Sequence, residues 1–293
     1  MQQIEKNKVE SSTLYLVGTP IGNLADMTER AKKVLSEVDF VAAEDTRNSM
    51  KLLSCFGIHT ELVSYYEHNK RESGERIVAR LLGGESCALI TDAGMPAISD
   101  PGEDLVRLCS DAGVTVRIVP GPSACVSALA LSGLSTMRFA FEGFLPAQKG
   151  ERRKRLEAVV NEDRTMIFYE APHKLRVTLD DMAEILGSDR KIALCRELTK
   201  LNEEAERTTL SGAIELYKGK EPRGEYVLVV EGGSGKTYEE NPLLSLSPDE
   251  HVSHYENQGM KRMDAIKAAA KDGVLTLHLP KVEHAIPRKI KVS

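Results

Sequence analysis

Short apolar runs alternate with amphipathic stretches along the chain from Leu14 onward. The run LYLV is followed by Ala31, Val34, Leu35 and Val38 at helical spacing and then by FVAA from Phe40, which is β-α-β order. Asp26 with Glu29 three residues later predicts the start of that helix, each side chain satisfying a backbone donor at the helix end. CALIT from Cys87 reads as a buried strand. Leu105, Leu108, Cys109 and Ala112 then share one helical face, which Gly113 closes. VTVRIV from Val114 is the next strand, and after PGPS a small-residue helix runs to Leu131 and ends at Gly133.

A second alternating set begins with FAFEGF from Phe139. A helix from about Gly150, the strand TMIFYE from Thr165 and a helix from His173 to Leu186, stopped by Gly187, come next. KIALC from Lys191, a helix from about Gly212 to Tyr217 and the strand EYVLVVEG from Glu225 complete the set. GSGKTYEENPLLSLSPDE then reads as a linker and DAIKAAAKD from Asp264 as an alanine-rich helix. The fold class is therefore α/β, with a disordered segment over 1–12, an N-terminal α/β domain over 13–135, a C-terminal α/β domain over 136–234, and a linker with a small helical or irregular tail over 235–293. No short-period repeat suggests a solenoid.

Composition narrows the function. A chain of 293 residues with 41% hydrophobic content is long enough for two ordinary domains. The opening MQQIEKNKVESS is not a signal peptide, and no apolar run nears the roughly 20 residues that span a bilayer. The five cysteines are scattered, with no CxxC pair, so neither a disulfide framework nor a zinc knuckle is written here. A soluble protein of the reduced cytoplasm, without a membrane partner, is the expectation. A net charge of −5 argues against coating nucleic acid, and the absence of tryptophan argues against a broad base-stacking platform. Contact with RNA has to be local.

Several motifs fail. EGGSGKT lacks the first glycine of a phosphate loop, because Val230 stands there. No GxGxxG follows a strand, and no GxSxG elbow or activated cysteine appears. His251 and His254 have the spacing of an ordinary solvated helix face, so no metal site is expected.

Three loops survive: GTPIGN at Gly18, TDAGMPAISDPG at Thr91 and PGPSA at Pro120. All follow predicted strands, and in open α/β sheets that edge is where ligands bind. Glycine allows close backbone approach and proline stiffens the loop. Glu44, Asp45 and Arg47 in EDTR follow another strand, with a surface ion pair as the ordinary alternative. SYYEHN places Glu67 and His68 on a loop.

With LYLVGTPIGNLADMTERA, AAEDTR, ITDAGMPAISDPG, VPGPSA, FYEAPHKL, RELTK and GEYVLVVEG in that order, the chain resembles the tetrapyrrole-methylase-like group of S-adenosylmethionine-dependent methyltransferases. Within it, the strings are similar to the bacterial enzymes that methylate a cytidine 2′-hydroxyl of 16S ribosomal RNA. The resemblance covers about residues 14–233. It implies two α/β domains with S-adenosylmethionine in the interdomain cleft, a homodimer, and small-subunit ribosomal RNA, within the 30S particle, as partner. Carried over by position, cofactor contacts fall at Pro20, Ile21, Gly94, Met95, Ile98, Ser123 and Ala124, with Tyr169, Arg196, Gly224, Glu225 and Tyr226 closing from the second domain. Porphyrin-modifying relatives are expected to carry a GxGPGD-like first loop, so GTPIGN argues against a tetrapyrrole substrate. Two departures stand out: Tyr66 where the pattern reads histidine, which weakens any role for an imidazole there, and the tail GVLTLHLPKVEHAIPRKIKVS.

For such a reaction the protein mainly aligns sulfur, methyl and ribose oxygen and excludes water. A carboxylate that accepts the hydroxyl proton contributes further. Glu44, Asp45 and Asp100 are the candidates, and Arg47 has the fork to position a phosphate. KGERRKR supplies Lys149, Arg152, Arg153, Lys154 and Arg155 at a predicted helix start. It is read either as a grip on RNA phosphates or as a solvated face. The alternatives to the RNA methyltransferase are a tetrapyrrole methyltransferase of the same fold and a non-catalytic ribosome-assembly factor.

Overall fold

The computed structural model describes residues 8–233 and 247–272. The described residues up to Gly233 belong to one compact unit and those from Ser247 to a second. The first unit is built on two five-stranded sheets.

The first sheet contains β1 (Thr13–Val17), β2 (Phe40–Ala43), β3 (Glu61–Ser64), β4 (Cys87–Ile90) and β5 (Thr115–Val119), in the order β3-β2-β4-β1-β5. Every pairing is parallel. Helices α1 (Glu29–Glu37), α2 (Thr46–Cys55), α3 (Lys70–Leu82) and α4 (Gly102–Asp111) make the crossovers. Alternation along the strands loads both faces. Tyr15, Val17, Val41, Ala88 and Ile90 pack on Ala31, Val34 and Leu35 of α1. Leu14, Phe40, Ala42, Cys87 and Leu89 pack on Ile77 and Leu81 of α3 and Leu105 and Cys109 of α4. Each such leucine contributes roughly 1.5–3 kcal/mol relative to exposure. Residues 9–12 join this unit, with Val9 against the core and the Glu10 amide donating to the Tyr15 hydroxyl at 2.9 Å.

The second sheet contains β6 (Phe139–Phe144), β7 (Thr165–Glu170), β8 (Lys191–Arg196), β9 (Glu204–Thr209) and β10 (Tyr226–Val230), in the order β6-β7-β10-β8-β9. Only β6 and β7 are parallel; β10 runs against both neighbours, and β9 against β8. One face, carrying Met166, Phe168, Leu194 and Leu228, is covered by α6 (Lys149–Ala158), α7 (Leu175–Leu186) and α8 (Leu210–Tyr217). The other, carrying Ile167, Ala193, Val227 and Val229, packs on Cys125, Ala128 and Leu129 of α5 (Ala124–Ser132). Helix α5 leaves the first sheet yet buries its apolar stripe against the second.

Two local expectations are corrected. Thr28, not Asp26, caps α1, its hydroxyl accepting from the Ala31 amide at 3.1 Å, while Asp26 ends a short 3-10 turn over Leu24–Asp26. The last residues of the expected linker begin α9 (Pro248–Asn257), started by a capping box between Ser247 and Glu250. The alanine-rich helix is α10 (Arg262–Asp272). Residues 234–237 of the GSGKT segment and the β-branched tail after Asp272 lie outside the described residues. No described helix is long and apolar enough to cross a membrane.

Candidate active site

Parallel pairing brings the loops after β1, β2, β4 and β5 to one edge of the first sheet, and three of them are knitted by backbone. Thr19 and Gly94 exchange amide hydrogen bonds at 2.9 and 3.1 Å, and the buried Thr19 hydroxyl donates to Thr91 O at 3.1 Å. The Gly121 amide donates to Met95 Sδ at 3.3 Å. A Cβ on Gly18 would lie 2.7 Å from Gly121 Cα, so glycine is required where the first and third loops cross.

The second loop is strained, with left-handed backbone at Ala97 (φ 67°) and Ser99 (φ 66°). Asp100 holds it. Its carboxylate accepts from the amides of Ala97 at 3.0 Å, Ile98 at 3.1 Å and Gly102 at 2.8 Å.

The antiparallel course of β10 supplies the facing wall. Tyr226, where β10 begins, pairs with Glu170 at the end of β7 and with Arg196 at the end of β8. The turn after β8 is left-handed at Glu197 (φ 52°) and Thr199 (φ 64°). Lys200 Nζ bridges Glu197 at 3.0 Å and Glu225 at 2.9 Å, and a Cβ on Gly22 would strike the Lys200 side chain at 2.4 Å. The two halves therefore meet through the first loop and the turn after β8.

Between them lies a cleft of about 620 Å³, within the range of small-molecule and cofactor sites. The structure brings Ile21, Glu44, Gly94, Met95, Ile98, Asp100, Ser123, Ala124, Tyr169, Glu225 and Tyr226 into its wall. Met95, Ala124, Leu198 and Val227 make part of it apolar, while Glu44, Asp92, Asp100, Glu170, Glu197 and Glu225 bring six carboxylates against Lys200 and His173. An apolar slot with an excess of negative charge fits a sulfonium-bearing nucleoside. Partial desolvation, and then the Asp92 charge, push the Glu44 carboxyl above its ordinary range, although Thr91 donates to it at 3.4 Å. Burial pushes the Tyr169 phenol up to about 12. Among the described residues, no group of three or more His, Cys, Asp or Glu is set to hold a metal.

Other expected residues fall elsewhere. Pro20 faces a small recess with Asn48 and Leu52. Arg196 pairs with Glu204 at 2.7 Å and lines a separate pocket with Lys220, Arg223 and Tyr226. Gly224 (φ 79°) lies against the Glu197 side chain, where a Cβ would come within 2.6 Å. Asp45 caps α2 and pairs with Arg47 at 3.0 Å, and Arg47 is 86% exposed outside the cleft wall.

The basic run is not an open cationic face. Arg152 is buried on Asp181, Arg153 joins Asp181 and Glu184, and Arg155 pairs with Glu142. Lys149 and Lys154 are exposed. Reading the run as a row of phosphate contacts is corrected for Arg152, whose guanidinium is spent on folding.

Sequence reasoning passed over Asp92, Phe144, Glu170, Glu197 and Lys200 in the wall. Glu170 was the most accessible of these, an acidic residue ending an otherwise apolar strand in FYEAPHKL. It is buried, with Thr178 donating at 2.5 Å and the Ala171 amide at 2.9 Å.

Residues 13–214 match the model of the Tetrapyrrole (Corrin/Porphyrin) Methylases. The chain is 49% identical over 272 residues to the Ribosomal RNA small subunit methyltransferase I of Halalkalibacterium halodurans, covering 92% of this chain and 94% of that one. To the protein of the same name in Bacillus subtilis it is 49% identical over 267 residues, covering 90% and 91%. Among solved structures, cobalt precorrin-4 methyltransferase superposes with a TM-score of 0.56 at 17% identity, covering 75% and 95%. Uroporphyrin-III-C-methyltransferase from Thermus thermophilus gives 0.54 at 20% identity, covering 74% and 94%. At such identities the structural likeness shows the fold alone.

Proposed function

This chain belongs to the tetrapyrrole (corrin/porphyrin) methylase family, and from that premise we propose that it transfers a methyl group from S-adenosylmethionine to the ribose 2′-hydroxyl of a cytidine in small-subunit ribosomal RNA. The observation that carries the reading is the cleft, apolar in part and rich in carboxylates, formed where rigid turns of both halves meet. Identity of 49% to relatives named for small-subunit ribosomal RNA supports RNA over a tetrapyrrole as acceptor. Bound S-adenosylmethionine supplies a methyl already activated on a sulfonium sulfur.

The residues divide the work. Ile21, Gly94, Met95, Ser123, Ala124, Tyr169, Glu225 and Tyr226 hold the cofactor, with Ile98 at the edge. Pro20, Gly224 and Arg196 shape the turns behind it. Glu44 accepts the ribose hydroxyl proton, because its carboxylate faces the cleft and keeps free lone pairs. Asp100 is a weaker candidate, since three amides occupy its oxygens. The 13–135 and 136–234 segments serve as the cofactor and closing halves.

The test is to incubate the protein with labelled S-adenosylmethionine and unmodified small subunits, then analyse the nucleosides by mass. A 2′-O-methylcytidine product is expected. Label in a base, in a porphyrinogen supplied in parallel, or nowhere overturns the reading. A cytoplasmic homodimer acting on the 30S particle is part of the proposal. Light scattering and a comparison of naked RNA with subunits test those parts.

A further inference from the structure

We propose that Ile98 and Phe144 form a subsite for an unstacked nucleobase, that of the nucleotide whose ribose is methylated; this rests on the function proposed above and names where its acceptor is gripped. Among the described residues, these are the two large apolar side chains in the cleft wall that stand exposed, Ile98 at 49% and Phe144 at 56%. Apolar surface held in water at the edge of a ligand cleft is surface kept for an occupant.

Both are put there by distorted backbone. In a regular strand Phe141 and Phe144, three apart, point to opposite faces. Here the register of β6 shifts between Phe141 and Gly143, with Gly143 at φ 65°, and bulges of this kind re-aim side chains beside active sites. Both phenyl rings consequently meet Tyr169 edge-on, at centroid distances of 5.0 and 5.4 Å. Ile98 sits between the two left-handed residues of the loop clamped by Asp100. The distortions touch, since a Cβ on Gly143 would come within 3.1 Å of Ser99 Oγ. Two strained segments, one from each sheet, thus present neighbouring apolar surfaces at the cleft edge.

A nucleobase has the matching chemistry. For its ribose to enter the cleft the nucleotide must leave its stack, and an aromatic face replaces the lost stacking. Lys174 Nζ, 6.0 Å from the Phe144 ring centroid and 3.4 Å from Glu170, places a cation beside the ring. The cofactor's adenine is the other flat ring available, but these side chains lie at the exposed edge, where a macromolecule arrives.

The experiment compares wild type, Phe144→Ala and Phe144→Tyr as full-length proteins. Three quantities are measured: methyl transfer to small subunits, calorimetric affinity for S-adenosylhomocysteine, and quenching of a fluorescent cytidine analogue in a single-stranded RNA. Phe144→Ala is expected to lower kcat/KM for subunits about ten-fold or more and to abolish the quench, with nucleoside affinity unchanged; Phe144→Tyr restores both. An equal loss of S-adenosylhomocysteine affinity assigns the ring to the cofactor and overturns the proposal, as does a quench indifferent to Phe144. A wild-type protein that quenches but does not methylate retains the base site and refutes the reaction; one that methylates regardless of Phe144 does the reverse.

Discussion

Arg152 Nη2 lies 2.7 Å from Asp181 Oδ2 with both side chains 6% exposed, so this pair is part of the second sheet's helical cover rather than of its surface. Removing Asp181 strands the Arg152 charge without water, whereas Asp181 keeps Arg153 at 3.1 Å when Arg152 is lost. Asp181→Ala is expected to cost about 3–5 kcal/mol in urea unfolding, whereas the double replacement Arg152→Met with Asp181→Leu costs much less. A loss below 1 kcal/mol for the single variant contradicts the buried pair.

Asp100 grips three amides of the loop that carries Gly94, Met95 and Ile98. Asp100→Ala should weaken S-adenosylhomocysteine binding by about ten-fold or more, since even one lost bond to a charged acceptor is worth roughly 1.5–3 kcal/mol. Asp100→Asn keeps one acceptor oxygen, which takes the Ala97 and Gly102 bonds, and should fall between. Calorimetry that finds all three proteins alike shows that the loop does not depend on the clamp.

Glu44 sets a pH dependence. Its carboxyl is raised above 4.5 by partial desolvation and by Asp92, and only the ionised form accepts a proton. The transfer rate should climb with pH through that raised value. Asp92→Asn removes a like charge and should move the climb to lower pH, while Glu44→Gln should lower the rate about 10²-fold at unchanged cofactor affinity. For stability the sign is opposite to that of a salt-bridged carboxylate: the fold holds this proton more tightly than the unfolded chain, so the contribution is present below about pH 4.5 and lost as pH rises through the raised value. A rate profile unmoved by Asp92→Asn removes Glu44 from the role.

Gly224 and Gly57 separate crowding from backbone strain. Both have positive φ, 79° and 68°, but a Cβ on Gly224 meets Glu197 at 2.6 Å whereas Gly57 faces open space. Gly57→Ala should cost about 1 kcal/mol. Gly224→Ala should cost distinctly more and weaken cofactor binding, because Glu197 and its partner Lys200 must shift. Equal thermal shifts in the two variants count against that coupling.

Strands that are apolar throughout, such as β2, β4 and β10, were legible because burial on both faces leaves no polar residue in the run. β9, EAERTT, was missed because an edge strand with no fully buried residue carries no such run. The mixed directions of the second sheet have no local signature. Loops at the ligand edge were visible through glycine and proline, but the roles of Asp45 and Asp100 were not, since a carboxylate that caps a helix or clamps a loop reads like one that takes a proton. Arg152 offered one clue: it lies four residues before Leu156, on the buried stripe of α6.

The crossing of Gly18 and Gly121 carries a consequence for how such proteins diversify. Two main chains in direct contact cannot drift independently, so the donor side of the molecule is a fixed chassis in which one loop's change requires another's. At the edge contributed by β6 the approach is by a side chain, Ser99 Oγ lying 3.1 Å from where a Cβ on Gly143 would stand, and new acceptors can be accommodated there by side-chain replacement.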